Sequence, residues 1–348
     1  MDGPRWGWAE AVAQTPVLGV LPAPGSGRQS MVATGQAGRL DAHLEWYRTA
    51  FDVRYLDAAH VDARRAWLWP LWDRRFRDCT VLRALNLLGA IPALTARWAY
   101  GIPFVVSHGA DYEAIAAIHG RSRLHLKKWG WLRRLVCRHA SAVLVSNPAL
   151  ARRLARQYPK AAILPHPNWV DLERFSPTDQ PPVTGRVLYV GRLVEEKNLG
   201  RLATAVNSVW GHRLRAVGEG PLRWYLATQR RVDCPGPISW ERLPDEYRAA
   251  ECFALPSLTE GHPKALAEAM ACGVPAVVAT RVAMENQLSG VIECDPVVEA
   301  QIAEGIKILQ DSDTRKYFAA QARAHAERHW DARVLMPQEI AILQSARP

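Results

Sequence analysis

The sequence predicts an α/β chain built as two similar lobes, each a sheet flanked by helices. Three observations predict it. Apolar runs of strand length alternate with helix-like segments through both halves, and no stretch repeats as it would in a solenoid. A chain of 348 residues is long enough to bury a separate core in each half. Between the halves, Gln180–Gly185 carries two prolines and a glycine, the chemistry of a linker.

Composition narrows the class. A hydrophobic content of 49% against 22% charged residues describes a globular chain, not a disordered one. The six cysteines form no C-x-x-C pair, so neither a zinc site nor a disulfide framework is expected, and a reducing, cytosolic compartment fits. Met1–Val20 holds Asp2, Arg5 and Glu10 and lacks the apolar core of a signal peptide. No run has the length needed to span a bilayer. The net charge of +10 is concentrated: Ala114–Val170 has no Asp or Glu but eleven Lys and Arg, from Arg121 to Lys160. Such a face suits an anionic partner, whether membrane lipid, nucleic acid or phosphorylated substrate.

Taken in order, Pro16–Pro22 reads as a first buried strand. Gly25-Ser26-Gly27 follows, then a helix from about Ser30 to Thr49. The G-x-G serves equally as a simple βα turn or as a ligand loop. Phe51–Tyr55 and Thr80–Asn86 read as strands, with the tryptophan-rich Ala63–Arg77 between them and helical Leu87–Tyr100 after. Phe104–Ser107 is a strand ending at His108-Gly109-Ala110-Asp111. A histidine at the carboxyl end of such a strand stands where ligands bind, or caps a turn. Ser122–His139 is a basic helix with Leu124, Trp129 and Trp131 among its cations. It suits an anionic bilayer surface, through 121–139, or simply a solvated face. Ala142–Val145 and Ala162–Pro165 are strands around the Ala149–Gln157 helix.

The second half opens with the strand Val187–Val190 and the loop Gly191-Arg192-Leu193-Val194-Glu195-Glu196-Lys197. Its arginine and lysine can offset the charge of a diphosphate. Leu214–Val217 runs into Gly218-Glu219-Gly220, and Pro237–Trp240 reads as the next strand. Glu260–Gly273, EGHPKALAEAMACG, follows the apolar run Cys252–Ser257. Pro263 fits a first helical position, and Gly273 with Pro275 ends the helix before the strand Ala276–Ala279. A helix N-terminus seats phosphate, and Glu260 and Glu268 on either side can accept hydrogen bonds from sugar and ribose hydroxyls. Glu299–Gln310, Asp313–Arg328 and Trp330–Ser345 close the chain as helices.

Leu255–Val278 resembles the signature of the retaining, family-four glycosyltransferases of GT-B fold, P-S-x-x-E-G-x-P-x-x-x-x-E-A-M-A-x-G-x-P-V. Here it is Pro256-Ser257-Leu258-Thr259-Glu260-Gly261-His262-Pro263 and Glu268-Ala269-Met270-Ala271-Cys272-Gly273-Val274-Pro275. Gly191-Arg192-Leu193 with Lys197, His108-Gly109, and Asn168–Pro177 also match, although Trp169 replaces a usual glycine. Arg281–Asn286 lacks a G-G-x-x-E that many relatives carry.

The resemblance implies two Rossmann-like domains facing across a cleft: an acceptor-binding domain over 1–178, a nucleotide-sugar domain over 179–330, and a terminal helix, 331–348, returning to the first. It implies a retaining, metal-independent hexosyltransferase using a UDP- or GDP-linked sugar and a sugar or lipid-linked acceptor in cell-envelope synthesis, with no cofactor and no nucleic acid. His108, Glu260, Arg192 and Lys197 would be catalytic. Gly218, Gly261, His262, Pro263, Lys264 and Glu268 would complete the donor site. Gly25, Ser26, Gly27, His108 and Asp111 would meet the acceptor. No D-x-D stands at a strand end, so Arg192, Lys197 and the helix N-terminus would stabilise the leaving diphosphate. Alternatives are an epimerase or sugar phosphorylase of the same fold, and a peripheral membrane or nucleic-acid binding protein.

Overall fold

The computed structural model describes residues 15–347 apart from positions 27, 34, 63, 110, 111 and 121. Gly27 and Asp111 of the expected acceptor site therefore lie outside the described residues. Among these residues the strands form two six-stranded sheets. The first contains β1 (Val17–Leu21), β2 (Asp52–Tyr55), β3 (Val81–Ala84), β4 (Phe104–His108), β5 (Ala142–Val145) and β6 (Ile163–Pro165), in the order β2-β1-β3-β4-β5-β6. The second contains β7 (Arg186–Val190), β8 (Arg213–Val217), β9 (Val232–Gly236), β10 (Cys252–Leu255), β11 (Ala276–Ala279) and β12 (Val291–Cys294), in the order β12-β11-β10-β7-β8-β9. Each described pairing is parallel. Helices cover both faces, so central strands such as Ala142-Val143-Leu144-Val145 are apolar throughout and buried at every position.

The strand order reverses beside β1 in one sheet and beside β7 in the other. At such a point neighbouring crossovers run to opposite faces, and the loops at the carboxyl ends part to leave a crevice. In the second sheet the loops that part follow β7 and β10. They are the Gly191–Lys197 and Pro256–Pro263 segments singled out from the sequence.

Three local readings are corrected. The single helix expected from Ser30 to Thr49 is two, Arg28–Ala33 and Ala37–Arg48, because Gly35 turns left-handed at φ 71° between them. Pro237–Trp240 is a loop, not a strand. The strand lies just before it, on the sheet edge, where Pro235 is tolerated for want of a neighbour needing its N–H. Pro263 caps its helix with extended backbone, and Lys264 is the first helical residue.

The terminal helix, Ala332–Ser345, leaves the second lobe and packs on the first. The crossing is pinned where the Val170 N–H donates to Trp330 O at 2.7 Å and the Ala332 N–H donates to Val170 O at 3.0 Å. Met336, Ile340 and Leu343 then join Leu18, Val20, Val105 and Leu144 in one buried cluster. The same helix carries Glu339, 1% exposed. Its carboxylate accepts from the Tyr47 hydroxyl at 2.5 Å and Arg83 Nε at 2.7 Å, and His166 Nε2 stands 3.0 Å away. Burial alone would push this carboxyl up, but the Arg83 guanidinium, then His166 and His43, hold it well below the usual range.

Breaking this pair leaves Arg83 charged and buried. Glu339→Gln should cost about 3–5 kcal/mol of stability, measured by denaturant melts. The wild-type advantage should be full above the ordinary carboxylate range, since the folded group titrates lower, and should shrink as pH falls through it.

Candidate functional site

The crevice of the second sheet is shaped first by backbone. The Gly191 N–H donates to Val217 O at 3.0 Å and the Leu193 N–H to Glu219 O at 2.9 Å, so the loops after β7 and β8 lie backbone on backbone. Gly218, at φ 141°, permits the approach: a Cβ there would run into the Gly191 carbonyl. Asn198 adopts φ 59°, and its amide donates to Pro256 O at 3.2 Å and Pro296 O at 2.5 Å, tying the Lys197 turn to the loop after β10.

These loops and the first lobe enclose a cavity of about 430 Å³. From the second lobe it is lined by Arg192, Lys197, Gly218, Glu260, His262, Pro263 and Lys264, among others; from the first, by Gly35, Gln36 and Arg39. Lys197 Nζ donates to Glu260 Oε1 at 2.5 Å, and Arg192 Nη2 to Glu196 Oε1 at 3.0 Å. Lys264, at the start of the Lys264–Ala271 helix, opens to the cleft and has no ion-pair partner among the described residues. Both lobes wall it in. Lost hydration, then the Arg39 cation, draw its ammonium down to about 8.

A second cavity of about 400 Å³ adjoins the first, sharing Gln36, Arg39, His262 and Lys264. Its other walls belong to the first lobe and the terminal helix, including His43, Asn86, Ser107, Gly109, Tyr112, Asn168, Trp169 and Glu339. Trp169, standing where a glycine was expected, supplies apolar wall and meets His43 edge-on at 5.5 Å between centroids. Two asparagines of this lobe hold the opposite loop: Asn168 donates to His262 O at 3.0 Å and Asn147 to Gly261 O at 3.3 Å.

The expected residues are thus not equally placed. Gly261 contributes its carbonyl to Asn147 rather than a wall to the cavity. Glu268 is 3% exposed and lies behind Arg39, which forms an ion pair with it. His262 is buried edge-on against Trp330 at 5.0 Å, and neither ring nitrogen has a hydrogen-bond partner among the described residues. Burial, then Lys264 and His325, lower it to about 3, so it is neutral at working pH. His108 is 1% exposed and tilts against Tyr112; its neighbours Ser107 and Gly109 line the second cavity and it does not. Gly25 and Ser26 line neither cavity: Gly25 donates to Ala58 O and Ser26 to Ala23 O, a closed turn. Trp240 is buried with its indole N–H on Glu268, so it is not free to stack on a base.

Residues 184–311 match the family model described as glycosyl transferases group 1. The match spans all six strands of the second sheet. Among solved structures, a sucrose-phosphate synthase from Thermosynechococcus elongatus superposes with TM-score 0.77 at 16% identity, covering 94% of this chain and 98% of that one. Anabaena HepE, in complex with UDP and glucose, superposes with TM-score 0.71 at 17% identity, covering 95% and 100%. The whole chain therefore has the GT-B fold, and the group 1 match falls within its second lobe. Among curated relatives, the putative teichuronic acid biosynthesis glycosyltransferase TuaC of Bacillus subtilis is 38% identical over 104 residues, 30% of this chain and 26% of its own. The sulfoquinovosyl transferase SQD2 of Arabidopsis thaliana is 25% identical over 255 residues, 66% and 50%. The matched regions thus span a quarter to a half of these relatives.

Arg39, Gln36 and Asn147 were not legible as site residues. Arg39 and Gln36 lie on a first-lobe element with no motif of its own, and only the docking of the lobes brings them, and the Asn147 amide, to the second lobe's crevice.

With its pKa drawn down to about 8, the Lys264 ammonium loses half its charge near that pH and is fully charged only well below it. Affinity for a nucleoside diphosphate, measured by calorimetry, should therefore fall as pH rises through that value. Lys264→Met should bind more weakly below it and lose the pH dependence.

Proposed function

We propose that the chain transfers a glycosyl group from a nucleoside-diphosphate sugar, UDP- or GDP-linked, to a hydroxyl acceptor with retention of configuration. The observation that carries this reading is the cavity at the β7 switch point, where Arg192, Lys197 and Lys264 meet the open N–H groups of a helix N-terminus. In the reaction the anomeric C–O bond to the diphosphate breaks and the acceptor oxygen bonds to the anomeric carbon. The acceptor proton leaves with a diphosphate oxygen. Charge growing on the diphosphate is met by cations already fixed in place, and Glu260 exchanges Lys197 for sugar hydroxyls. The adjoining cavity, walled by the first lobe, takes the acceptor. HepE, solved with UDP and glucose, supports the donor class. TuaC, named for teichuronic acid biosynthesis, supports a place in envelope polysaccharide synthesis, and the putative glycosyltransferase EpsF of Bacillus subtilis supports the reaction class.

A thermal-shift screen against UDP, GDP, ADP and their sugars is expected to show stabilisation by one base class. Lys197→Ala should then lower turnover by about 10²-fold or more while melting like wild type. Near-normal turnover would contradict the assignment.

A membrane-borne acceptor is favoured by one further surface. No described helix is long and apolar enough to cross a bilayer. Yet Leu68, Leu71, Trp72, Trp98, Leu124 and Trp131 stand exposed on the first lobe, with Trp67 stacked parallel to Trp98 at 6.2 Å and meeting Trp131 at 6.0 Å. Lys127, Lys128, Arg134 and Arg138 are exposed on the Arg123–His139 helix beside them, although Arg133 turns inward. Tryptophans with cations suit the headgroup layer of an anionic membrane, at the cytoplasmic face on this reading. The chain should float with vesicles of phosphatidylcholine and phosphatidylglycerol at low salt, less so at high salt, and Trp131→Ser with Trp72→Ser should reduce it. No flotation at low salt would leave a soluble acceptor.

A further inference from the structure

The carboxylate that the donor reading gives to the ribose is already occupied. Glu268 Oε1 accepts from Trp240 Nε1 at 3.2 Å and pairs with Arg39, and Oε2 accepts from the Tyr247 hydroxyl at 2.9 Å. A carboxylate offers about four lone-pair sites, so three present donors leave one. A ribose diol donating from both hydroxyls needs two, and one present partner must leave. Trp240 and Tyr247 are buried in the core of the same lobe as Glu268. Arg39 comes from the other lobe, and its side chain keeps 22% of its exposure. It lines both cavities, and Glu268 lines neither.

The backbone around Arg39 fits the same contact. Gly35 and Gly38 seat this corner of the first lobe on the loop between β9 and the Leu243–Arg248 helix. A Cβ at Gly35 would strike the Ile238 carbonyl, and one at Gly38 the Glu241 carboxylate. The corner closes over the end of the first cavity whose wall includes Gly35, Pro237 and Ile238.

We propose that Arg39 is a donor-responsive latch: it holds Glu268 and the two lobes together while the cleft is empty, yields that carboxylate to the ribose, and lends its freed charge to the phosphates at the wall between the cavities. The inference rests on the donor-site reading above. Its energetics are those of linkage. Arg39 and the ribose compete for one carboxylate, so the ion pair weakens nucleoside binding by the coupling between them. The released guanidinium stands beside Lys264, where the departing diphosphate gathers charge, so the same residue that opposes the ribose assists turnover. Arg39 thus acts on the ribose through Glu268 as a positioning residue.

The test uses the full chain with Arg39→Met and Arg39→Lys. Dissociation constants for uridine, guanosine and adenosine, and for UDP, GDP and ADP, are measured by ligand-observed NMR beside melting temperature and turnover. For the base that wild type binds, Arg39→Met is expected to bind the nucleoside about fivefold or more tighter and to turn over about tenfold or more slower. Arg39→Lys should lie between. A purely structural role would move both in the unfavourable direction. Unchanged or weaker nucleoside binding in a folded Arg39→Met overturns the latch. Should that variant not fold, Arg39→Gln, which keeps a hydrogen bond without charge, carries the same expectation at smaller size. If wild type binds none of the three diphosphates, the donor-site reading itself falls and takes the latch with it; if it binds one and the nucleoside affinity does not rise, the latch alone falls.

Discussion

The cleft is organised by charge matching across short distances. Lys197 rests on Glu260, Arg192 on Glu196, and Arg39 on Glu268. Lys197 and Arg39 are mostly buried and need partners while the cleft is empty, because an unpaired buried charge is far costlier than an exposed one; the Arg192 side chain stays 63% exposed. A diphosphate is a partner of the same sign with more oxygens. On the proposed reading it takes these cations from their carboxylates, and the carboxylates turn to the hydroxyls at either end of the same ligand. Lys264 has no such partner among the described residues, and lost hydration with the neighbouring Arg39 cation lowers its proton affinity.

Topology decides where that exchange can happen. Parallel sheets leave their loops at one end, and the reversal of strand order beside β7 parts two of them. The Gly218 approach and the Asn198 amide fix the spacing of those loops before any ligand arrives. The first lobe adds the far wall. It is held there partly by the terminal helix, whose Glu339 is anchored to Tyr47, Arg83 and His166 beneath the second cavity. A buried ion pair is a weak source of net stability but a demanding one in geometry. That suits a segment that must cross between lobes and dock in one register.

Much of this was legible in the sequence because it is local. The strand–loop–helix from Cys252 to Gly273 announces itself by proline and glycine, and the β7 loop by two cations after an apolar run. What escaped was set by the other lobe. The break at Gly35 answers to the Ile238 carbonyl, and Arg39 gains meaning only when the lobes meet. Edge strand β9 was placed a few residues late, at Pro237–Trp240; it carries Pro235 inside it, which an edge strand tolerates. His108 sits at the expected strand end, yet which way a side chain faces there depends on packing by Tyr112, which alternation does not reveal. The closed turn at Gly25 and Ser26 shows how little a lone G-x-G specifies.

The most direct measurement is a crystal structure of the chain soaked with the nucleoside diphosphate it binds in solution. The account requires the two phosphates at the Lys264–Ala271 helix N-terminus, within reach of Arg192, Lys197 and Lys264, and the ribose on Glu268 with Arg39 displaced. A nucleotide seated on the first lobe, or outside the crevice beside β7, would contradict it.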